Sequence, residues 1–467
     1  MSSLTDSQVN DLHCSIYRYV QWVSQNNGSS DLLNKLQSVL DIDELQLSLD
    51  DGDQMLLPKK WGSIIRLQRA ITKLEQKCDA LQQELDDKTK QLETIVPKDT
   101  QIATTTDVNW LPPDHIYASI QNESPVTAIK LHPSLAIVYV GTDTGRLIAY
   151  DILNYTIPLA VTTAHSKAIT SIEVIEAHNF EEFVDSTTLV STTSKDAQIN
   201  VYDHSSNTGE LKLIRSFNAH DSTVSSQKTW QKDNDVLLAS SSRDATVKVW
   251  RVNDSRCLQS FSPHSEWVKS IDVLDEYILS GSLDSTLRLT HWPSGNGLSV
   301  GTGHEFPIER VLIIPFSDSK ICTSPYRDQN EHSAFAPLRF KYCASAARDN
   351  TIKIWEVPLP QLKPNSAPVP STTNTTFKCV MTLRGHTSWV KDLKLRGDHL
   401  FSCSDDETIK CWDLNTGNCV KTWSSIHNNF INCIDIDREA TIEQFSPSLQ
   451  REILVSGDMD NKVKIIR

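Results

Sequence analysis

The feature that constrains this chain most is a short phrase that keeps returning. Its clearest copies are SSSRDATVKVW (240–250), SAARDNTIKIW (345–355) and SCSDDETIKCW (402–412), and weaker ones are STTSKDAQINVY (191–202), LSGSLDSTLRLT (279–290) and VSGDMDNKVKII (455–466). A seventh, VGTDTGRLIAY (140–150), has Thr144 where the others carry aspartate. Most copies follow a small residue and a histidine: Ala164-His165, Ala219-His220, Pro263-His264, Gly303-His304 and Gly385-His386, with Ile426-His427 degenerate. Each copy reads as a strand of small residues, a turn bearing aspartate, and an alternating strand such as Val247, Val249 and Trp250. One such unit cannot bury both of its faces, so the repeats must pack against one another, and a ring is the closed solution.

Two places break the period. About forty-five residues separate His304 from Asp349, including SDSKICTSPYRDQNEHSAF, and a Pro-rich stretch runs from Pro358 to Phe377. Insertions of this kind are expected to be mobile loops. The chain also ends directly after the third strand of the last copy, which leaves that unit short of an outer strand. Ile116 to Ile120, just before the first copy, is the candidate to fill the gap and close the ring.

Before about Trp110 the period changes from that of strands to that of helices. Apolar residues fall at Ile64, Leu67, Ile71, Leu74, Cys78, Leu81 and Leu85, between Pro58 and Pro97. With Ile64 and Ile71 at heptad position a and Leu67, Leu74 and Leu81 at d, this seam favours a parallel two-stranded coil. Upstream, Asp6 to Leu40 reads as two short helices with Leu12, Ile16, Tyr19, Val20 and Val23 on one apolar face, broken at Asn26-Asn27-Gly28. That piece is too small for a core of its own and is expected to pair with a second copy. The expected organisation is a dimerisation motif over 1–40, an acidic linker over 41–59, a coiled coil over 60–96, a tether over 97–109 and the repeat domain over 110–467.

Composition narrows the function. The net charge of −14 disfavours nucleic acid as a partner, there being no basic stripe to offset it. The N-terminus, MSSLTDSQVNDLH, lacks the basic and apolar regions of a secretion signal, and the most apolar run, Leu131 to Val140, is half the length of a membrane helix. No membrane span is expected. The ten cysteines form no C-x-x-C pair and fall largely in expected strands, which suits buried, reduced thiols and calls for no metal or cofactor. A phosphate-cradling glycine loop and a paired-carboxylate site are both missing, so no catalytic activity is expected.

The recurring phrase resembles the WD40 repeat, and the resemblance implies an all-β seven-bladed propeller. In that family the repeat histidine and aspartate hydrogen-bond across the blade together with a Ser or Thr and the terminal Trp. The implied pairs here are His220 with Asp244, His264 with Asp284, His304 with Asp349, and His386 with Asp406. Taken whole, the chain resembles the lissencephaly/NudF nuclear-distribution family: LTDSQVNDLHCSIYRYVQWV is similar to its LisH dimerisation motif and KKWGSIIRLQRAITKLEQKC to its coil junction. That resemblance implies a homodimer that binds the cytoplasmic dynein heavy chain, a NudE-type coiled-coil adaptor and a microtubule plus-end tracking protein. It also implies a cytoplasmic and cytoskeletal location at microtubule plus ends and spindle poles, with a role in nuclear migration. A LisH-WD40 scaffold of another complex, such as a ubiquitin ligase or a corepressor, stands as the alternative. Turn residues beside the repeat aspartate (Arg243, Arg348, Asp405) and residues three past the histidine (Trp267, Trp389, Phe430) are expected on one rim. The family's dynein-facing positions match Arg243, Lys269, Arg348 and Trp389; at a further one, usually Lys, this chain has Glu407.

Overall fold

The computed structural model describes residues 111–177, 187–204, 210–232, 234–316, 335, 337–362, 366–437 and 453–467. The expected dimerisation motif, linker, coil and tether, with Leu12, Ile16, Tyr19, Ile64, Leu67, Ile71, Leu74 and Leu81, lie outside these residues. Among the described residues, 28 strands, numbered β1 to β28 in chain order, form seven antiparallel four-stranded sheets. These are the blades of a seven-bladed propeller. The inner strands, one per blade, are β2 (Val126–Leu131), β6 (Ile169–Ala177), β10 (Val224–Lys232), β14 (Val268–Leu274), β18 (Ile308–Pro315), β22 (Val390–Arg396) and β26 (Ile431–Ile436). Strand β1 (Ile116–Gln121) closes the seventh blade by pairing antiparallel with β28 (Lys462–Ile466), Ile116 opposite Ile466 and Gln121 opposite Lys462. The first strand of the domain thereby ties down the last, as the missing outer strand required.

Alternation along the strands puts apolar side chains into the seams between blades. At the closure seam, Ile120, Val463 and Ile465 of blade seven pack with Val126, Ile129 and Val140 of blade one, all buried. Each such side chain contributes about 1.5–3 kcal/mol by leaving water. Hydrogen bonds brace each blade internally. His220 Nδ1 lies 3.0 Å from Asp244 Oδ2 and its Nε2 2.8 Å from Ser240 Oγ, which also accepts from Trp250 Nε1 at 2.9 Å. The corresponding His–Asp distances are 2.9 Å for His264 and Asp284, 2.6 Å for His304 and Asp349, and 2.8 Å for His386 and Asp406. Blade seven does this with a shift: His427 pairs with Asp458, two residues ahead of the turn position held by Asp460, at 2.5 Å. Blade one has no histidine at the site. Asn122 instead accepts from Tyr150 at 3.0 Å, and Thr144 meets Ser124 at 3.0 Å.

The residue after the turn aspartate, or after Thr144 in blade one, sits at positive φ in every blade: Gly145, Ala197, Ala245, Ser285, Asn350, Glu407 and Asn461. Only the first is the glycine that this left-handed conformation favours.

Further in, three residues past the start of a bulge described below, charge alternates around the ring: Lys130, Glu173, Lys228, Asp272, Leu312, Lys394, Asp435. Adjacent members meet at 3.2 Å for Lys130 and Glu173, 3.6 Å for Lys228 and Asp272, and 3.3 Å for Lys394 and Asp435. A ring with an odd number of members cannot alternate without one mismatch. Leu312 stands at that place, and Arg310 on the same strand supplies a cation to Asp392 at 3.0 Å. Burial lowers the Lys130 pKa to about 8 against the pull of Glu173 and Asp435.

Two expectations need correction. The Pro358 to Phe377 insertion is not wholly a mobile loop, because its described part packs on blade four. Val300 donates to Thr375 O and Phe377 donates back to Val300 O, each at 2.9 Å, while the Phe377 side chain is buried in the core. The other insertion lies mostly outside the described residues. The cysteines, too, are not uniformly buried: Cys343, Cys403, Cys411 and Cys433 are, but Cys257, Cys379 and Cys419 are exposed. The exposed three share one place, opposite the blade tryptophans Trp250, Trp355 and Trp412 on outer strands with one face in water.

Candidate protein-binding rim

The rim is built by two backbone features that recur in each blade. The first is a hydrogen bond from the residue before the turn aspartate, or its equivalent, to the carbonyl of the residue three past the histidine. It joins Asp143 to Pro125, Lys195 to Ala168, Arg243 to Thr223, Leu283 to Trp267, Arg348 to Pro307, Asp405 to Trp389 and Met459 to Phe430, at 2.9–3.2 Å. The second is a register shift near the start of each inner strand, which leaves one residue outside the ladder. A bulge of this kind re-aims its side chain. The bulged residues are Thr127, Thr170, Ser225, Lys269, Glu309, Lys391 and Asn432.

Reading around that ring exposes an asymmetry. Four bulge residues are neutral and bond within the fold: Thr170, for example, donates to Val224 O at 2.6 Å and Asn432 to Val126 O at 2.8 Å. The three charged ones, Lys269, Glu309 and Lys391, occupy consecutive blades. Glu309 lies between two cations, 3.2 Å from Lys269 Nζ and 2.5 Å from Arg348 Nε. Its burial favours the neutral acid, but Lys269, Lys391 and Arg348 together outweigh that and hold the carboxyl below its ordinary pKa. Burial lowers the pKa of Lys269, with Glu309 opposing.

Two tryptophans carry the cations. Arg243 Cζ is 5.4 Å and Lys269 Nζ 4.3 Å from the Trp267 ring centre, while Arg348 Cζ is 4.4 Å and Lys391 Nζ 4.9 Å from that of Trp389. Trp267 is further tied by its indole N–H to Ser225 Oγ. Trp389 is 40% exposed, an expensive arrangement for a large aromatic. Lys391 also pairs with Asp405 at 3.3 Å. The structure thus brings Arg243, Lys269, Arg348 and Trp389 into one patch, in which four cations face two carboxylates. Phe430, 50% exposed, continues the rim at blade seven. Glu407 sits in the same turn as Asp406, held by its N–H to Ser404 O at 3.3 Å. Sequence reasoning missed Glu309 and Lys391. The signal was available, since both fall five residues past a repeat histidine, as Lys269 does.

A carboxylate-bearing surface is the chemical complement of this patch, and stacked guanidinium groups and an exposed indole are the side chains that most often dominate binding. Among the described residues no group of histidine, cysteine and carboxylate side chains could hold a metal ion.

Comparison with known proteins agrees with the repeat pattern. The family model "WD domain, G-beta repeat" matches residues 211–251, 255–291 and 377–413. "Nuclear distribution protein PAC1" of Saccharomyces cerevisiae is 43% identical over 495 residues, covering 99% of this chain and 98% of that protein. The proteins of the same name from Zygosaccharomyces rouxii and Eremothecium gossypii are each 41% identical, again over 99% of this chain and 98% of their own length. The chain belongs to the lissencephaly/NudF nuclear-distribution family. Within this nuclear-distribution chain, each span matched by the repeat model begins on or beside the outer strand of one blade and ends in the third strand of the next. The repeat in the sequence and the blade in the structure are therefore offset by one strand, which is why β1 must complete blade seven.

Proposed function

We propose that this protein is a non-catalytic regulator of cytoplasmic dynein, whose rim over blades three to six binds the motor domain. The observation that carries the reading is the broken symmetry of the bulge positions: charge appears in three consecutive blades and is flanked there by Arg243, Arg348 and two tryptophans. The relatives' names, which say nuclear distribution, support a role in nuclear migration; dynein targeting to microtubule plus ends and spindle positioning complete the proposal. In this reading the N-terminal segment makes a parallel homodimer, so that two propellers act together on a two-headed motor. A NudE-type coiled-coil adaptor and a microtubule plus-end tracking protein are its further partners, and the cytoplasm, microtubule plus ends and spindle poles its location. Retention of purified dynein motor domain on the immobilised full-length chain tests it, with ubiquitin-ligase and nuclear corepressor subunits in parallel. Retention of the motor is the expected result; retention of a corepressor or ligase subunit alone would replace this reading with that of a different scaffold.

A further inference from the structure

The Pro-rich insertion does more than cover an edge. Strand β17 (Asn296–Gly301) is the outer strand of blade four, and the insertion runs beside it: Val300 bridges to Thr376 in parallel, and Asn296 Nδ2 donates to Pro368 O at 3.1 Å. The insertion is itself braced by paired bonds between Gln361 and Val369. Between it and the blade lies a cavity of about 320 Å³, lined by Phe261, Pro263, Arg288, Ser299, Pro370 and Thr375 among others. That volume is at the lower end of those that hold small ligands.

Arg288 is the unusual residue. It lies four past the turn aspartate, where the other blades have Asn200, Lys248, Lys353, Lys410 and Lys464, or the apolar Ile148 in blade one. Each of those five polar side chains has an acceptor within the fold: Asn200 donates to Ala164 O, Lys248 to Ala219 O, Lys353 to Thr382 Oγ1, Lys410 to Thr422 Oγ1 and Lys464 to Ile426 O. Arg288 breaks the pattern. Its Nε is buried without an acceptor among the described residues, and so is the hydroxyl of Ser299, a residue only 5% exposed that lines the same cavity. A buried donor without an acceptor costs about 1–3 kcal/mol, and here the two belong to residues that line one cavity.

We propose that this cavity binds a monocarboxylate carried on an apolar body. A guanidinium matches a carboxylate in shape, and the single positive charge of Arg288 neutralises one negative charge. A phosphate dianion would keep an uncompensated charge against Phe261, Pro263 and Pro370. The hydroxyls of Ser299 and Thr375 supply further donors, and the apolar walls fit a phenyl or branched aliphatic group. Such a carboxylate comes either from a small free acid or from the C-terminus of a peptide ending in an apolar residue.

The test is calorimetric titration of the full-length protein with two probes, 4-phenylbutyrate and a tetrapeptide ending in phenylalanine with a free C-terminus, each beside its primary amide. Saturable binding of either acid, with its amide at least about tenfold weaker, is the expected result, and the stronger acid names the source. Two variants locate the site. Arg288→Met keeps the apolar stem and removes the charge. Gly297→Phe adds a ring at a lining position where an added Cβ meets no atom within 4 Å, and is chosen to obstruct the cavity. Both should lose at least about tenfold in affinity for the acid. Failure of both acids to bind, equal binding of acid and amide, or undiminished binding by the folded Gly297→Phe variant overturns the proposal.

Discussion

The central charge ring and the bulge residues of the rim patch lie on the same inner strands, only three residues apart, and they end in opposite states. In the ring, cation and carboxylate alternate from blade to blade, and the place where an odd ring must fail is occupied by Leu312; the charges are spent on one another. On the rim, cations exceed carboxylates and two tryptophans present them to solvent in part. Charge that is paired inside holds a fold together at most. Charge left in excess at a surface is available to a partner, and the difference begins at the β-bulge of each strand, which turns Lys269, Glu309 and Lys391 out of the ladder and beside the turn residues Arg243 and Arg348.

Breaking the ring should have the largest effect on stability. Asp392 joins Arg310, Lys394 and the backbone N–H groups of Leu393 and Ile434. Asp392→Ala leaves two largely buried cations short of a carboxylate and should cost about 3–5 kcal/mol, read as a lower midpoint in chemical denaturation. Asp406→Ala, which strips His386 of its partner within one blade, should cost less, about 1–3 kcal/mol, and a melting curve measures it.

Acid should act on the same braces. Burial lowers the pKa of His165, His220 and His427 below the ordinary 6.5, despite their carboxylate partners. The unfolded chain therefore binds more protons below pH 6.5, and stability falls as pH drops from there. Asp349 adds to this lower down. Burial would raise its pKa, but its bonds to His304 and Thr351 prevail and bring it to about 2 from 3.8, so its contribution is lost between those values. The melting temperature should be level near pH 7 to 8, decline below about 6.5 and fall more steeply below about 4. The smallest effect is expected at the turn. Glu407 has a φ of 65°, and Glu407→Gly should raise stability by about 0.5–1 kcal/mol, seen in the denaturation midpoint, because relief of the left-handed backbone outweighs the extra freedom of the unfolded chain.

Much of this was legible in the sequence, and what was hidden has a physical reason. The repeated phrase carries the blades because its Ser, Asp and Trp each make bonds that recur. The closing strand was readable because a missing outer strand leaves an edge that something must cover. Arg243, Arg348 and Trp389 could be picked out by their spacing from His and Asp, and Lys269 through the family resemblance. Glu309 and Lys391 share the spacing of Lys269, five past a histidine, but the reason that spacing matters is a register shift, a property of paired backbones that no single strand displays. The Pro-rich insertion was misread for a related reason: its proline content suggested a loop, but Phe377 anchors it in the core and its backbone pairs with β17. Blade seven hid its brace by moving the aspartate to 458, two residues before the turn position.

In the proposed reading the rim patch binds the motor and the ring does not. The direct measurement is the affinity of labelled dynein motor domain for the full-length chain carrying Arg243→Ala, Arg348→Ala and Trp389→Ala together, with circular dichroism of the same sample. Truncations of such residues cost about 2 kcal/mol or more each, so binding should weaken by well over about tenfold while the spectrum and melting temperature stay those of the unaltered protein. A folded triple variant that binds the motor with unchanged affinity would contradict the claim.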